Sequence, residues 1–381
     1  MYYNLYKLST IQDLENIISV FFKYYEKNEN ENINLIENNL KIYDKLKTLI
    51  EKFETSIFSD LQEKKNINNV NIVNFTNLKK IFSFSHYLNI FNNNSYCLIE
   101  VFNTFFKDIT FNNVVNFDFK NSKNDDNFKN LFHHYLNFSS INYDNFDSIF
   151  DSKDDIFNLN DFIKISNYKR NYYDMCILNI HKILYNGIYY DANEILLLYI
   201  ILSLNILKTD GNSIIILNLN EITRNVYLEI LFFLSCIFKS IIICKPKCSM
   251  IDERIFYIVC KNKNNFEKNE LINITIPVFQ NIIEKPKKKY TYSFLKYDIP
   301  LFYKNKLNET LINFERYEIE MFDHMSNLLL SSNIDEKMES QKVKQKLRLY
   351  NWLQENSNNE SNFKDLCKIS PEEYTNKTFG K

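Results

Sequence analysis

The chain has 381 residues, of which 45% are hydrophobic, 24% charged and 16% aromatic, with a formal net charge of −1. That aromatic content excludes wholesale disorder, and the near-neutral charge excludes a global basic field for nucleic acid, leaving only local patches. No apolar run reaches the roughly 18 to 20 residues that cross a bilayer, and the first residues lack an apolar leader core.

Residues 1 to about 62 read as helical. In IQDLENIISVFFKYYEK, Ile11, Leu14, Ile17, Ile18 and Phe21 recur at helical spacing behind Ser9 and Thr10, and LKIYDKLKTLIEKFE repeats the pattern. Residues 65–75 are Asn-rich and read as either a linker or a strand. YCLIEVFN (96–103) is a candidate first strand, followed by a stretch without glycine. Residues 120–130 are the most polar stretch and predict a loop, as do 262–270.

The clearest organisation lies between 172 and 261. YYDMCILNI (172–180) reads as a buried strand and EILLLYIILSLNILK (194–208) as an apolar helix. TDG (209–211) reads as a turn served by Gly211, and SIIILNL (213–219) as a strand. Thr223 is placed to cap a helix over RNVYLEILFFLSCIFK. SIIICK (240–245) and RIFYIVCK (254–261) complete the pattern. Strands alternating with helices predict half of a doubly wound α/β sheet. The short link after 240–245 makes the last strand antiparallel. Beyond 290 the pattern turns helical: Leu311, Phe314, Ile319, Phe322, Met325 and Leu329 share one face, and 338–354 form a basic amphipathic helix. The expected domains are a helical extension at 1–75, an α/β domain at 76–280, and a helical region at 281–381 with a basic linker and frayed tail.

Glycine occurs only at 187, 211 and 380, and alanine only at 192, while Asn, Ile, Lys, Phe and Tyr dominate. This bias points to an AT-rich coding genome. Three scattered glycines exclude both GxGxxG and P-loop nucleotide motifs. The seven cysteines are scattered and mostly lie in apolar runs, as expected of reduced, buried thiols in a cytoplasmic protein. Cys244 and Cys248 form a CxxxC with no further ligands nearby, so no metal site is predicted. His133 and His134 lie in an aromatic helical run and read as core or half-exposed residues. Four lysines and two tyrosines in EKPKKKYTY (284–292) combine phosphate-seeking and base-stacking groups. Lys285, Lys287, Lys288, Lys289 and Tyr290, with Lys245 and Lys247, are the RNA-binding candidates, against the simpler reading of a solvated linker. KVKQKLR (342–348) would extend that surface.

The segment 194–261 resembles the C-terminal half of the FtsJ-type RNA 2′-O-methyltransferases, which include cellular and viral cap-ribose enzymes. The family runs from an apolar helix through a Gly-containing turn, a "VLKxFD" strand and a Thr-led helix to "KPxxSR" and a strand ending "YxVCK", and in that order the matches here are Lys208, Gly211, Thr223, Lys245-Pro246, Ser249, Tyr257, Val259, Cys260 and Lys261. YYDMCILN matches "YDLVxxD". The match covers about a quarter of the chain. It implies a Rossmann-like methyltransferase fold with an antiparallel last strand, S-adenosylmethionine as cofactor, and a Lys-Asp-Lys-Glu tetrad in which a lysine favours the deprotonated ribose hydroxyl.

Carried over by position, the aspartate falls on Asn179, the strand lysine on Leu217 and the glutamate on Ile255. The first lysine falls on Lys79 or Lys80. Glu253 and Lys182 are the available substitutes, and Lys245 is a second lysine that could reach the site. The vestigial cofactor region comprises Tyr96, Asn103, Asn179, Ile180 and His181, the last bulky enough to fill the pocket. The resemblance thus implies a degenerate methyltransferase that binds no cofactor. It would be an RNA-binding, stimulatory or scaffold subunit for an RNA-capping or RNA-modifying partner, of the kind that large DNA viruses carry. The alternatives are an active cap-ribose 2′-O-methyltransferase using S-adenosylmethionine through a rearranged site, and a purely structural interaction protein. A scaffold predicts exposed apolar surface on the helices of 10–55 or 307–330.

Overall fold

A computed structural model describes residues 6–8, 21–26, 82–84, 93–117, 142–145, 158–180, 183–185, 188–190, 192–218, 224–249, 255–265, 292–295, 299–329 and 333–356. The chain divides into two compact units. One comprises Met1–Glu29, Asn94–Lys247 and Glu253–Leu307; the other comprises Asn30–Asn93, Cys248–Asp252 and Asn308–Lys381.

In the first unit the described elements are β1 (Tyr6–Leu8), β2 (Phe21–Glu26), α1 (Asn93–Phe105), β3 (Asn113–Phe117), β4 (Asn142–Asn145), α2 (Leu159–Tyr168), β5 (Tyr173–Asn179), β6 (Ile183–Tyr185), β7 (Ile188–Tyr190), α3 (Ala192–Ile206), β8 (Leu207–Asn218), α4 (Arg224–Ile237), β9 (Phe238–Cys244), β10 (Ile255–Lys263) and β11 (Tyr292–Leu295). Seven strands form one open sheet in the order β1-β9-β10-β8-β5-β3-β4. β4, β3, β5 and β8 are parallel. β10 lies between β8 and β9 and is antiparallel to both, as the sequence predicts of the last strand of the pattern. β1 closes the far edge, antiparallel to β9.

The central strands are nearly continuous aliphatic runs. Ile214–Leu217 of β8 and Phe256–Cys260 of β10 are buried throughout, as strands covered on both faces require. Contacts place a helix on each face. The Lys261 ammonium donates to the Phe105 carbonyl and lies over the Phe106 ring, so α1 covers one face. Phe117 meets Tyr199 of α3 with ring centroids 5.3 Å apart, on the opposite face. α3 is buried over almost its whole circumference, which explains its uninterrupted apolar sequence.

The amino edge of the sheet is tied together by one carboxylate. Asp174 Oδ2 accepts from the backbone N–H of Asn112 and of Asn113, both at 2.9 Å, and Oδ1 accepts from Lys208 Nζ at 2.7 Å. One side chain thereby joins the starts of β3, β5 and β8. Burial alone would raise its pKa; Lys208 and the two N–H donors outweigh burial and hold it below the usual carboxylate range.

The C-terminus of α3 has its own device. Lys263 is buried, and its ammonium donates to the carbonyls of Leu204 and Leu207 at 2.6 and 2.5 Å, acceptors that the helix end leaves unpaired. Asn262, with φ of 57°, interrupts the side-chain alternation of β10 and turns Lys263 toward α3.

Four expectations are corrected. YCLIEVFN is helical, within α1. A short apolar run does not separate strand from helix by period alone, and the 13-residue length of α1 decides for the helix. The first strand of the parallel set is β3. The connection after it, residues 118–141, contains no glycine either. At the N-terminus, Tyr6–Leu8 and Phe21–Glu26 are strands where a helical extension is expected; the latter pairs with β11. The aromatic run FFKYYE suits a strand once a partner supplies the ladder. The rest of 1–75 lies outside the described residues.

The predicted turn at 209–211 belongs to β8. Asp210, with φ of 59°, takes the left-handed position. Gly211 answers a different need, because a Cβ there would lie 2.8 Å from both Leu207 Cγ and the Lys208 carbonyl oxygen. Among the described residues no helix is long and apolar enough to cross a membrane.

In the second unit, α5 (Leu301–Leu329, which starts in the first unit) and α6 (Ile334–Asn356) are the long described elements. Phe314 and Met325, both on the predicted apolar face of α5, are buried. Trp352 of α6 is buried with its ring centroid 6.0 Å from that of Phe84.

Two stability predictions follow from the amino edge and the helix cap. Asp174 has a lowered folded pKa, so its contribution is complete above about pH 4 and is lost as pH falls through the folded value. Asp174→Asn should cost about 2 kcal/mol at pH 7 and flatten the acid limb of a urea-unfolding pH series. Lys263 is pushed down to about 8 by burial, against about 10.4 unfolded, so its penalty is present below pH 8 and relieved as pH rises toward 10. The difference in unfolding free energy between wild type and Lys263→Met should move toward wild type across that window. The slope is at most about 1.4 kcal/mol per pH unit.

Candidate functional site at the carboxyl edge of the sheet

From β3 the chain runs outward to β4 and then returns to β5 on the other side of β3. In open α/β sheets such a reversal opens a crevice at the carboxyl ends of the strands, where ligands bind. The edge here comprises Asn116 and Phe117 of β3, Asn179 and Ile180 at the end of β5, Ile216 to Asn218 of β8, and Ile255 at the start of β10.

The three positions aligned with the catalytic residues meet at this edge. Asn179 pairs with Ile216, Leu217 with Phe256, and Ile255 with Asn218. Alternation puts Asn179, Ile216 and Ile255 on the α1 face, and Leu217 with Phe256 on the other. Leu217 is fully buried. The absence of a lysine does not depend on register, since Ser213–Asn218 reads Ser-Ile-Ile-Ile-Leu-Asn.

Lys245 follows β9 and is buried, with Nζ 5.6 Å from the centre of the Phe256 ring. Its ammonium therefore approaches the face that carries Leu217. It is buried and does not stand on an open surface. Lys247 is half-buried, and its N–H donates to Glu100 Oε1 at 2.8 Å. Glu100 is a buried carboxylate of α1, so the amino-terminal part of that helix lies toward the carboxyl edge.

The cofactor region inferred from sequence is only partly assembled. Ile180 is buried at the edge and its N–H donates to the Ile216 carbonyl at 3.3 Å. Tyr96 and Asn103 are helical residues of α1, two turns apart, and do not border a loop after a strand. His181, Lys182, Glu253, Lys79, Lys80, Lys285, Lys287, Lys288, Lys289, Tyr290, Thr223, His133 and His134 lie outside the described residues.

Asn116 is the residue that sequence reasoning missed. It is 1% exposed within a strand of buried apolar residues, and neither Oδ1 nor Nδ2 has a hydrogen-bond partner. Leaving such groups unpaired costs about 1 to 3 kcal/mol each. Its one signal in the sequence is a lone amide in the run Val-Val-Asn-Phe.

The thiols offer no nucleophile among the described residues whose shifts are resolved. Burial pushes Cys176, Cys244 and Cys260 well up, reinforced at Cys244 by Glu100 and Cys97, and pushes Cys236 up to about 12. No group of three or more His, Cys, Asp or Glu among the described residues is placed to hold a metal ion.

Among the described residues of β3, β5 and β8 at this edge, none offers a charged partner for S-adenosylmethionine. A cationic sulfonium beside an amino acid head calls for charged or backbone-rich partners. Across β3, β5 and β8 this edge instead offers neutral amides, buried aliphatic side chains and a glycine-free connection after β3. Compared with protein-family models and with curated proteins, the chain matches none. Fold and edge together define an α/β protein with an open mixed sheet.

If Leu217 is committed to the core, Leu217→Lys strands an ammonium in apolar surroundings and should lower stability by on the order of 3 to 5 kcal/mol. An unchanged denaturant midpoint would mean that this position opens to solvent as a catalytic lysine requires.

Proposed function

We propose that the chain is a degenerate relative of the FtsJ-type RNA 2′-O-methyltransferases, acting as an RNA-binding, stimulatory or scaffold subunit of an RNA-capping or RNA-modifying system. The observation that carries this reading is the sheet itself. β10 lies antiparallel between β8 and β9, as the resemblance implies for the last strand. The positions aligned with the acid, the lysine and the second acid are Asn179, Leu217 and Ile255, all at the carboxyl edge of that sheet, with Asn179 and Ile255 on one face and Leu217 on the other. An asparagine carries no counter-charge and a leucine cannot bind or activate a hydroxyl, so the sheet is kept while the chemistry is lost.

Surface features favour a partner-binding role. Leu301 and Phe302, at the start of α5, are 72% and 68% exposed. On α6, Val343 and Leu347 are exposed beside the exposed cations Lys344 and Arg348. Apolar side chains left in water next to charge suit contact with another macromolecule.

The second reading is an active cap-ribose 2′-O-methyltransferase with a rearranged site. It draws on Lys245, whose ammonium lies against Phe256, the register partner of Leu217. Calorimetric titration with S-adenosylmethionine, paired with a methyl-transfer assay on capped RNA, separates the two. The degenerate reading expects no heat at high micromolar cofactor and no methyl incorporation. Micromolar binding with transfer abolished by Lys245→Met would establish the second.

A further inference from the structure

We infer that the solvent-facing side of α6 is a docking surface for an amphipathic helix of another protein, one whose apolar stripe is flanked by aspartates and glutamates. The inference deepens the scaffold form of the degenerate reading and rests on it for the existence of a partner. α6 is anchored by its opposite side. Gln345, Leu349, Trp352, Leu353 and Asn356 are buried, and helical spacing puts them on one face. On the reverse face Val343 and Leu347 are 51% and 45% exposed. They stand four residues apart and so form a ridge along the helix, the unit that seats in the groove of a second helix.

Cations line both sides of that ridge. Lys337, Lys344 and Arg348 make an exposed row on one side. Lys342 and Lys346 lie on the other, where Glu339 engages Lys342 at 2.5 Å. No acidic residue occurs between Glu339 and Glu355. This combination selects among occupants by charge and shape. A second copy pairing through the same face would set cation against cation. An RNA backbone would take the cations but leave Val343 and Leu347 in water, and Tyr350, which flanks the ridge, is half-buried with its hydroxyl bonded to Gln354. An anionic lipid surface calls for a broad apolar face, and this ridge is narrow. A helix with an apolar stripe between acidic flanks covers the ridge and meets both rows of cations at once.

The test uses the full-length chain and fluorescence anisotropy. The probe is a labelled synthetic helix with leucine along one stripe and glutamate on both flanks, which keeps it from pairing with itself. A scrambled peptide of the same composition, a lysine-flanked counterpart and a uridine oligoribonucleotide run in parallel. The probe should bind at least tenfold more tightly than the scrambled peptide. Leu347→Ser should weaken it at least fivefold. Lys344→Glu combined with Arg348→Glu should abolish it and gain the lysine-flanked peptide. The exposed positions of these side chains predict an unchanged thermal midpoint in each variant. No binding of the probe, equal binding of the scrambled peptide, or a probe indifferent to these variants overturns the docking surface. Oligoribonucleotide bound more tightly than the probe, and lost in the charge-reversed variant, overturns the helix as occupant and leaves the RNA-binding form of the degenerate reading standing. Methyl incorporation into capped RNA by the same preparation overturns that reading whatever the peptides do.

Discussion

The sheet depends on the insertion of β10 between β8 and β9. A strand antiparallel to both neighbours gives up its backbone donors and acceptors on both edges, and here it does so over a run of Phe, Tyr, Ile, Val and Cys with no polar interruption. That run is stable only if both faces are covered, which requires α1 on one side and α3 on the other. The same insertion brings the start of β10 to the carboxyl edge of the parallel strands. Ile255, Asn218, Leu217 and Asn179 are thus drawn together from segments far apart in the chain.

The two edges of the sheet treat charge in opposite ways. At the amino edge, Asp174 and Lys208 form a partly solvated ion pair reinforced by backbone donors, where charge is cheap to keep and useful for aligning strands. At the carboxyl edge of β3, β5 and β8, where this kind of sheet places its chemistry, the side chains are amides and aliphatics. Among the described residues, charge appears there toward β9, where Lys245 and Glu100 are buried. An edge built this way can recognise by hydrogen bonding and shape, but it has no acid or base on the central strands to move a proton.

Much of the frame was legible in the sequence. The strands at 173–179, 213–218, 240–244 and 255–261 and the helices at 194–206 and 224–237 were readable because long apolar runs bounded by polar breaks leave little choice of element. Asn179, Leu217 and Ile255 could be placed on strand ends by counting from Asp174, Gly211 and Tyr257. Less readable were elements whose identity depends on a distant partner. Phe21–Glu26 becomes a strand by pairing with Tyr292–Leu295, some 270 residues on, and Tyr6–Leu8 by pairing with Ile241–Ile243. YCLIEVFN is apolar enough for either state, and its place against the face carrying Lys261 makes it a helix.

The sequence by itself determined the α/β class, the lack of any glycine-rich nucleotide loop, and the absence of a lysine from 213–218, because these follow from which residues exist and how they are spaced. Only the tertiary structure decided that β3 is the first parallel strand, that β10 is shared between β8 and β9, and that Lys245 is buried beside Phe256. It alone placed Asn116, unpaired, at the point where the strand order reverses. Such facts concern which strands become neighbours and which face each side chain takes. Both are set by long-range pairing and burial, which no local pattern encodes.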